Sequence, residues 1–214
     1  MEEMRKRPVT ALLVAANIIV FLLVEFTGGT DNTRHMLDWG ACYGPFVWEE
    51  GEWYRLFTCL FLHFGMAHLA NNMLVLAVLG MRLEGVLGHI KMILVYFVGG
   101  MGGNLLSLAL EKHSGEYTVS AGASGATFAL MGAVLLVALR NHGRMQDLGL
   151  RQIFIMAALS LYLGFVSEGV DNAAHVGGLL CGFLVAAFLY WGKGNRGEKK
   201  SSPYGNGIDK ELWR

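Results

Sequence analysis

Apolar runs recur along this chain, each nearly long enough or long enough to cross a bilayer, and this repetition limits its folds more than any other feature. The runs fall at about residues 10–26, 67–83, 91–110, 122–139, 148–166 and 173–191. Most reach the roughly 17–25 residues needed to traverse a hydrocarbon core. Backbone N–H and C=O groups find no water there, so each run must satisfy them within its own helix. The expected architecture is an all-α membrane protein, a bundle of six transmembrane helices. Composition agrees: 16% of the 214 residues are charged and 54% are hydrophobic, whereas a soluble domain carries about a quarter charged residues. The 29 glycines suit membrane helices, where small residues let backbones approach. A net charge of zero gives no reason to expect a nucleic-acid partner.

The first run follows Arg5, Lys6 and Arg7, as a signal peptide would. It is somewhat long for one, and no A-x-A cleavage site follows it, so a retained span is the better reading. The expected organisation is one membrane domain over 1–192, then a polar, glycine-rich cytoplasmic tail over 193–214, with no soluble domain at either end. Basic residues set orientation. With the N-terminus in the cytoplasm, only Arg34, Arg55 and Lys112 fall outside, and 14 of the 17 Lys and Arg residues lie inside. Both termini are then cytoplasmic, as expected of a multi-pass cell-membrane protein. The connection over 27–66 holds Trp48, Trp53, Tyr54, Phe57, Phe61 and Phe64, which fits a segment lying partly in the outer leaflet.

Three polar clusters interrupt the apolar pattern: His68-Leu-Ala-Asn-Asn72, Gly122-Ala-Ser-Gly125 and Ala174-His175. Each opens an even-numbered span running from outside to inside, so all three share one depth near the outer face. Polar side chains inside a membrane are costly and mark functional sites by default. Ser124 is flanked by glycines, which also fits simple helix packing. His175 shares a helical face with Gly178 and Gly182, while Gly125 and Gly132 line the fourth span. If those stripes face each other, Ser124 and His175 come within hydrogen-bond reach. His175 taken alone is equally a satisfied core residue or a metal ligand. His68 and Asn72, four residues apart on one face, can both donate to a developing oxyanion, or merely tie helices together. The Ser124 amide at a helix start is a third candidate donor.

No Asp or Glu lies within these clusters. A Ser–His dyad suffices in principle, with histidine taking the serine proton and returning it to the leaving amine. Asp171, four residues before His175, is a weaker candidate for orienting the imidazole. H-E-x-x-H is absent, as is C-x-x-C spacing, so neither a metal nor a cofactor is expected. Cys42 and Cys59 are candidates to pair outside the cell, with nothing in the sequence fixing their geometry.

Taken together, the clusters resemble the rhomboid family of intramembrane serine proteases. The segment His63-Phe-Gly-Met-Ala-His68-Leu-Ala-Asn-Asn72 matches its second-span pattern, Gly122-Ala-Ser-Gly125 its nucleophile motif, and Ala174-His175-Val-Gly-Gly178-Leu-Leu-Cys-Gly182 its catalytic-histidine span. The resemblance covers about residues 10–191 and implies the minimal six-span bacterial form with a water-filled cavity open outward. It implies Ser124 as nucleophile and His175 as general base. His68, Asn72 and the Ser124 amide would form the oxyanion site, with His63 and Gly122 in support, and Phe128 would stack on His175. Arg82-Leu-Glu84-Gly-Val-Leu-Gly88 is similar to the family's inner turn. Trp53-Tyr-Arg55 resembles its Trp-Arg element, with Tyr54 interposed. The implied partners are the lipid bilayer and membrane-protein substrates cut in or near a transmembrane segment, and the fifth span is the implied gate. A client-binding relative without activity would have lost Ser124 or His175. A transporter would show further ionisable residues deep in the spans or repeated halves, and the sequence shows neither.

Overall fold

The first long helix, α1 (Pro8–Gly28), begins with a proline that donates no hydrogen bond and suits a helix start. Its next amides are satisfied from another helix. The Glu84 carboxylate accepts from Val9 N at 3.1 Å, Thr10 N at 2.9 Å and Thr10 Oγ1 at 2.7 Å. Glu84 is fully buried. A carboxylate on a helix N-terminus meets both orphan N–H groups and the positive end of the dipole. The inner turn after the second span thereby anchors the first. This computed structural model describes residues 6–166 and 169–190. The expected tail over 193–214 lies outside the described residues.

The connection after α1 contains three short helices, α2 (Thr33–Asp38), α3 (Gly44–Trp48) and α4 (Arg55–Thr58), and a two-residue strand, β1 (Cys42–Tyr43). Arg55 holds it together from inside. Its guanidinium donates to the carbonyls of Leu37 (2.7 Å) and Ala41 (2.9 Å), pairs with Glu52, and lies 4.7 Å from the centre of the Phe46 ring. A cation buried this way requires such partners.

Four long helices follow: α5 (Gly65–Leu87), α6 (His89–Ser114), α7 (Ser124–Arg140) and, after α8 (Leu150–Val166), α9 (Asn172–Leu189). The helices α1, α5, α6 and α9 are long and apolar enough to cross a membrane, and α7 and α8 are shorter apolar helices. Each expected run contains a helix; α1, α5 and α6 extend past their runs by two to four residues at each end, α7 starts two residues late, and α9 ends two residues early. The fifth is trimmed instead, because Leu148 and Gly149 form strand β4, paired with β3 (Arg144–Met145). Arg82 grips this hairpin, donating through Nε (3.0 Å) and a terminal nitrogen (2.8 Å) to the two oxygens of Asp147. Large apolar side chains face outward, Phe26, Leu184 and Phe188 among them, each more than 60% exposed. A soluble monomer rarely exposes such a surface; in lipid it is the stable one.

Helices α6, α7 and α9 pack most closely. Glycine makes this possible. A Cβ on Gly178 would meet the Gly125 carbonyl, one on Gly182 the Ala129 carbonyl, and one on Gly132 the Leu179 carbonyl. Contact order rises together on both helices, so α7 and α9 run parallel with their starts adjacent. Gly103 and Gly99 of α6 meet Gly178 and Gly182 in the reverse order, so α6 is antiparallel between them. Backbone-to-backbone contact of this kind is the usual source of cohesion between helices in lipid.

Candidate active site

Ser124 is the first residue of α7, and a sharp turn at Gly122 places it there. Gly122 has φ +151°, a conformation that side-chain-bearing residues avoid. Space also excludes a side chain. A Cβ at Gly122 would lie 2.8 Å from His68 Cε1, 3.0 Å from His68 Nε2 and 3.5 Å from Ser124 Oγ. The His68 imidazole and the Ser124 hydroxyl therefore flank the same glycine.

The turn is held by two bonds. Gly122 N donates to the Cys59 carbonyl at 2.9 Å, and Ala123 N donates to His63 Nε2 at 3.3 Å. Because His63 Nε2 accepts, it carries a lone pair, and the ring proton belongs on Nδ1. His63 is buried, and its ring meets that of His68 edge to face at 5.1 Å between centres. A short antiparallel pairing of β1 with β2 (Val119–Ser120) sets Cys42 opposite Ser120, just ahead of the turn.

His175 lies in the first turn of α9 and is buried. It stacks on Phe128 with ring centres 4.3 Å apart and planes 17° from parallel. Phe128 is one helical turn beyond Ser124, so the stack brings the imidazole to the serine face of α7. The glycine stripes do face each other. Among the described residues no hydrogen bond joins the Ser124 hydroxyl to His175, and the buried His175 Nδ1 has no partner. Catalytic hydrogen bonds are often open in unliganded enzymes and close around substrate.

Two further residues have partners of their own. Asn72 is buried beside the site, and one N–H of its amide donates to the His68 carbonyl at 3.0 Å within its own helix; the second N–H remains for another acceptor. Asp171 does not bond the His175 ring. Its carboxylate caps α9 by accepting from Ala174 N at 2.8 Å, and it accepts from Ser107 Oγ at 2.8 Å to each oxygen. Sequence reasoning passed over this role, although Asp before an apolar helical run is a recognisable N-cap signal. It also passed over Asn104, whose amide donates to Cys59 Sγ at 3.0 Å and to the Leu56 carbonyl at 3.0 Å. Nothing in the spacing of Asn104 marks it.

Comparison with known proteins identifies the family. The Rhomboid domain family matches residues 50–192. This chain belongs to the rhomboid family. It is 38% identical over 181 residues to Rhomboid protease GluP of Bacillus subtilis (strain 168), covering 84% of this chain and 34% of that protein. It is 41% identical over 143 residues to RHOMBOID-like protein 5 of Arabidopsis thaliana, covering 66% and 45%. It is 38% identical over 167 residues to RHOMBOID-like protein 6, mitochondrial, from the same plant, covering 77% and 52%. The chain thus spans between a third and about half the length of these relatives. With its apolar helices, the chain is a multi-pass membrane protein.

Proposed function

We propose that this chain is an intramembrane serine endopeptidase, cutting peptide bonds in or near transmembrane segments of membrane-protein substrates with a Ser124–His175 dyad. The observation carrying this reading is the stack of His175 on Phe128, one turn from Ser124, at the adjacent starts of two parallel helices. A hydroxyl and an imidazole at one depth can transfer a proton. The relatives named rhomboid protease support the same class of activity.

In the proposed mechanism, Ser124 Oγ attacks the scissile carbonyl carbon as His175 takes the hydroxyl proton. The carbonyl oxygen becomes an oxyanion, met by the Ser124 amide, the His68 imidazole and the free N–H of Asn72. Fixed donors at that point are commonly the largest electrostatic contribution to acyl transfer. His175 then protonates the leaving amine, and a water activated by the same imidazole hydrolyses the acyl-enzyme. His63 and Gly122 hold the turn and do not touch the reacting atoms. Phe128 fixes the plane of the imidazole. Neither metal nor cofactor has a step to perform.

The proposed setting is a six-span domain over 1–192 in the cell membrane, termini cytoplasmic, with the site open to the extracytoplasmic side, followed by a polar tail over 193–214. Helix α8 is the proposed gate. A substrate helix hides its carbonyls, so segments weakened by glycine or other small residues are the expected targets. The test is labelling with a fluorophosphonate serine probe and cleavage of a single-span reporter in proteoliposomes. Wild-type protein labels and cleaves, while Ser124→Ala and His175→Ala do neither and stay folded. Cleavage by the Ser124→Ala protein would overturn the nucleophile assignment.

A further inference from the structure

Two shielded polar atoms of α9 meet beside one glycine of α8. Gly164 is buried in the last turn of α8. A Cβ built there would lie 2.5 Å from Asn172 Oδ1, 3.3 Å from Val170 Cγ1 and 3.4 Å from His175 Nδ1. The amide oxygen and the ring nitrogen therefore face one small gap, no farther apart than their two distances laid end to end. Asn172 opens α9 and lies three residues before His175, so both side chains project from one helical face. Both atoms are shielded from solvent, and among the described residues neither has a hydrogen-bond partner. The orientation of the amide follows from its other end. Asn172 Nδ2 donates to the carbonyls of Gly164 at 3.2 Å and Val170 at 3.3 Å, and an amide oxygen cannot donate there. Oδ1 is thus an acceptor lacking a donor. His175 Nδ1, on an imidazole whose Nε2 is the base, is an N–H lacking an acceptor.

We propose that Asn172 is a positioning residue for the reaction, its Oδ1 accepting the Nδ1–H of His175. The proposal rests on the Ser124–His175 dyad and adds the group that holds its imidazole. Phe128 stacks on the ring and fixes its plane, but a ring flipped by half a turn stacks equally well. A bond at Nδ1 selects one flip and keeps the ring proton on Nδ1, so that Nε2 presents its lone pair to the serine hydroxyl. As Nε2 takes the serine proton the imidazole becomes positive. Its Nδ1–H then sits in a shielded position, where an unpaired polar hydrogen is costly. The Asn172 oxygen accepts that bond, and no proton passes to it. Asp171 is not free for this task, because its carboxylate is held by Ala174 N and Ser107 Oγ.

One amide then has two separable ends. The nitrogen ties the end of α8 to the start of α9, and the oxygen orients the histidine. Asn172→Asp keeps an acceptor oxygen in place and deletes the donor. Asn172→Leu keeps the shape and deletes both. Gly164→Ala fills the gap, and its Cβ displaces the mobile end of the Asn172 side chain rather than backbone.

The experiment uses the full chain in proteoliposomes. It reads the rate of fluorophosphonate labelling of Ser124, kcat and KM for the single-span reporter, and the thermal midpoint. Asn172→Leu should slow labelling by roughly 10–100-fold, the size of one hydrogen bond to a charged group, with kcat falling and KM held. Asn172→Asp should label and turn over close to wild type. Both should melt lower than wild type by similar amounts, because both lose the bonds from Nδ2. Gly164→Ala should slow labelling without lowering the midpoint. A purely structural role for Asn172 gives another pattern, in which activity follows the midpoint and Asn172→Asp falls as far as Asn172→Leu. That pattern, or wild-type labelling by Asn172→Leu, would overturn the proposal. Should Asn172→Leu fail to fold, Asn172→Asp and Gly164→Ala decide: a slow Asp variant or a fast Gly164→Ala protein overturns it. Wild-type protein that the probe never labels defeats the protease reading and this proposal together. Labelled wild-type protein with a slow Asn172→Asp variant defeats this proposal alone.

Discussion

Gly103 is 72 residues from His175 in sequence, yet its lack of a side chain places the His175 helix. A Cβ built on Gly103 would lie 2.5 Å from the Ala174 carbonyl oxygen, 2.9 Å from Gly178 N and 3.1 Å from Gly178 Cα. All three neighbours are backbone, so no side chain can rotate away. Ordinary contact begins at 3.4 Å, so Gly103→Ala must push α9 from α6 by about 0.9 Å at the residue before His175. Overpacking of this kind costs typically 1–3 kcal/mol of stability. A misplacement of about 1 Å at a catalytic group costs on the order of 10²-fold in rate. The comparison variant is Gly125→Ala, adjacent to the nucleophile itself. Its added Cβ would meet nothing nearer than 3.6 Å, so packing predicts a much milder effect there. Both variants are assayed by reporter cleavage in proteoliposomes and by fluorophosphonate labelling of Ser124, with thermal midpoints recorded in parallel. The reasoning requires Gly103→Ala to lose turnover heavily and Gly125→Ala to retain most of it. Equal turnover in the two variants, or a Gly103→Ala protein within twofold of wild type, would refute it.

Three further outcomes follow from individual contacts. Phe128→Leu keeps bulk but removes the ring stacked on His175; an aromatic stack contributes about 0.5–1.5 kcal/mol beyond burial, so labelling of Ser124 should slow by about 2–10-fold, and an unchanged rate would show that the stack does not orient the imidazole. Asp171→Ala removes the α9 cap and the acceptor for Ser107; the expected loss is about 1 kcal/mol, read as a lower thermal midpoint that Asp171→Asn partly restores. The Arg82 hydrogen bonds hold the Asp147 carboxyl below its ordinary value of 3.8. A depressed folded-state value stabilises above the unfolded value and is lost as pH falls through the folded one. Wild-type protein should therefore melt slightly higher than Asp147→Asn at pH 7, and the gap should narrow as pH falls below 3.8; a gap that does not narrow at all in acid would remove the ion pair as its cause.

How much was legible beforehand differs between helices and contacts. Glycines 125, 132, 178 and 182 announce close packing because small residues at helical spacing line one face, and that much is one-dimensional information. Their partners are not. The meeting of Gly178 with Gly125, and the approach of Gly103 to the backbone of Ala174 and Gly178, depend on the order of three helices in space. The same holds for hydrogen bonds. His68 and Asn72 share a face by their spacing, yet the Asn72 amide gives one N–H to its own helix. Asp171 reads as a possible partner of His175 by proximity in sequence, but helix capping satisfies its carboxylate better, since a free N–H lies three residues on.

The chain by itself determined that apolar helices cross a membrane, because lipid offers backbone groups no other partner. It also determined that serine, histidines and asparagine sit at the starts of those helices. Only the tertiary structure decided that Ser124 and His175 belong to neighbouring helices, that Gly122 leaves room for His68, and that the Asp171 carboxylate caps α9 and holds Ser107. Those facts depend on which glycine faces which backbone, and close approach is a property of two segments together, never of one.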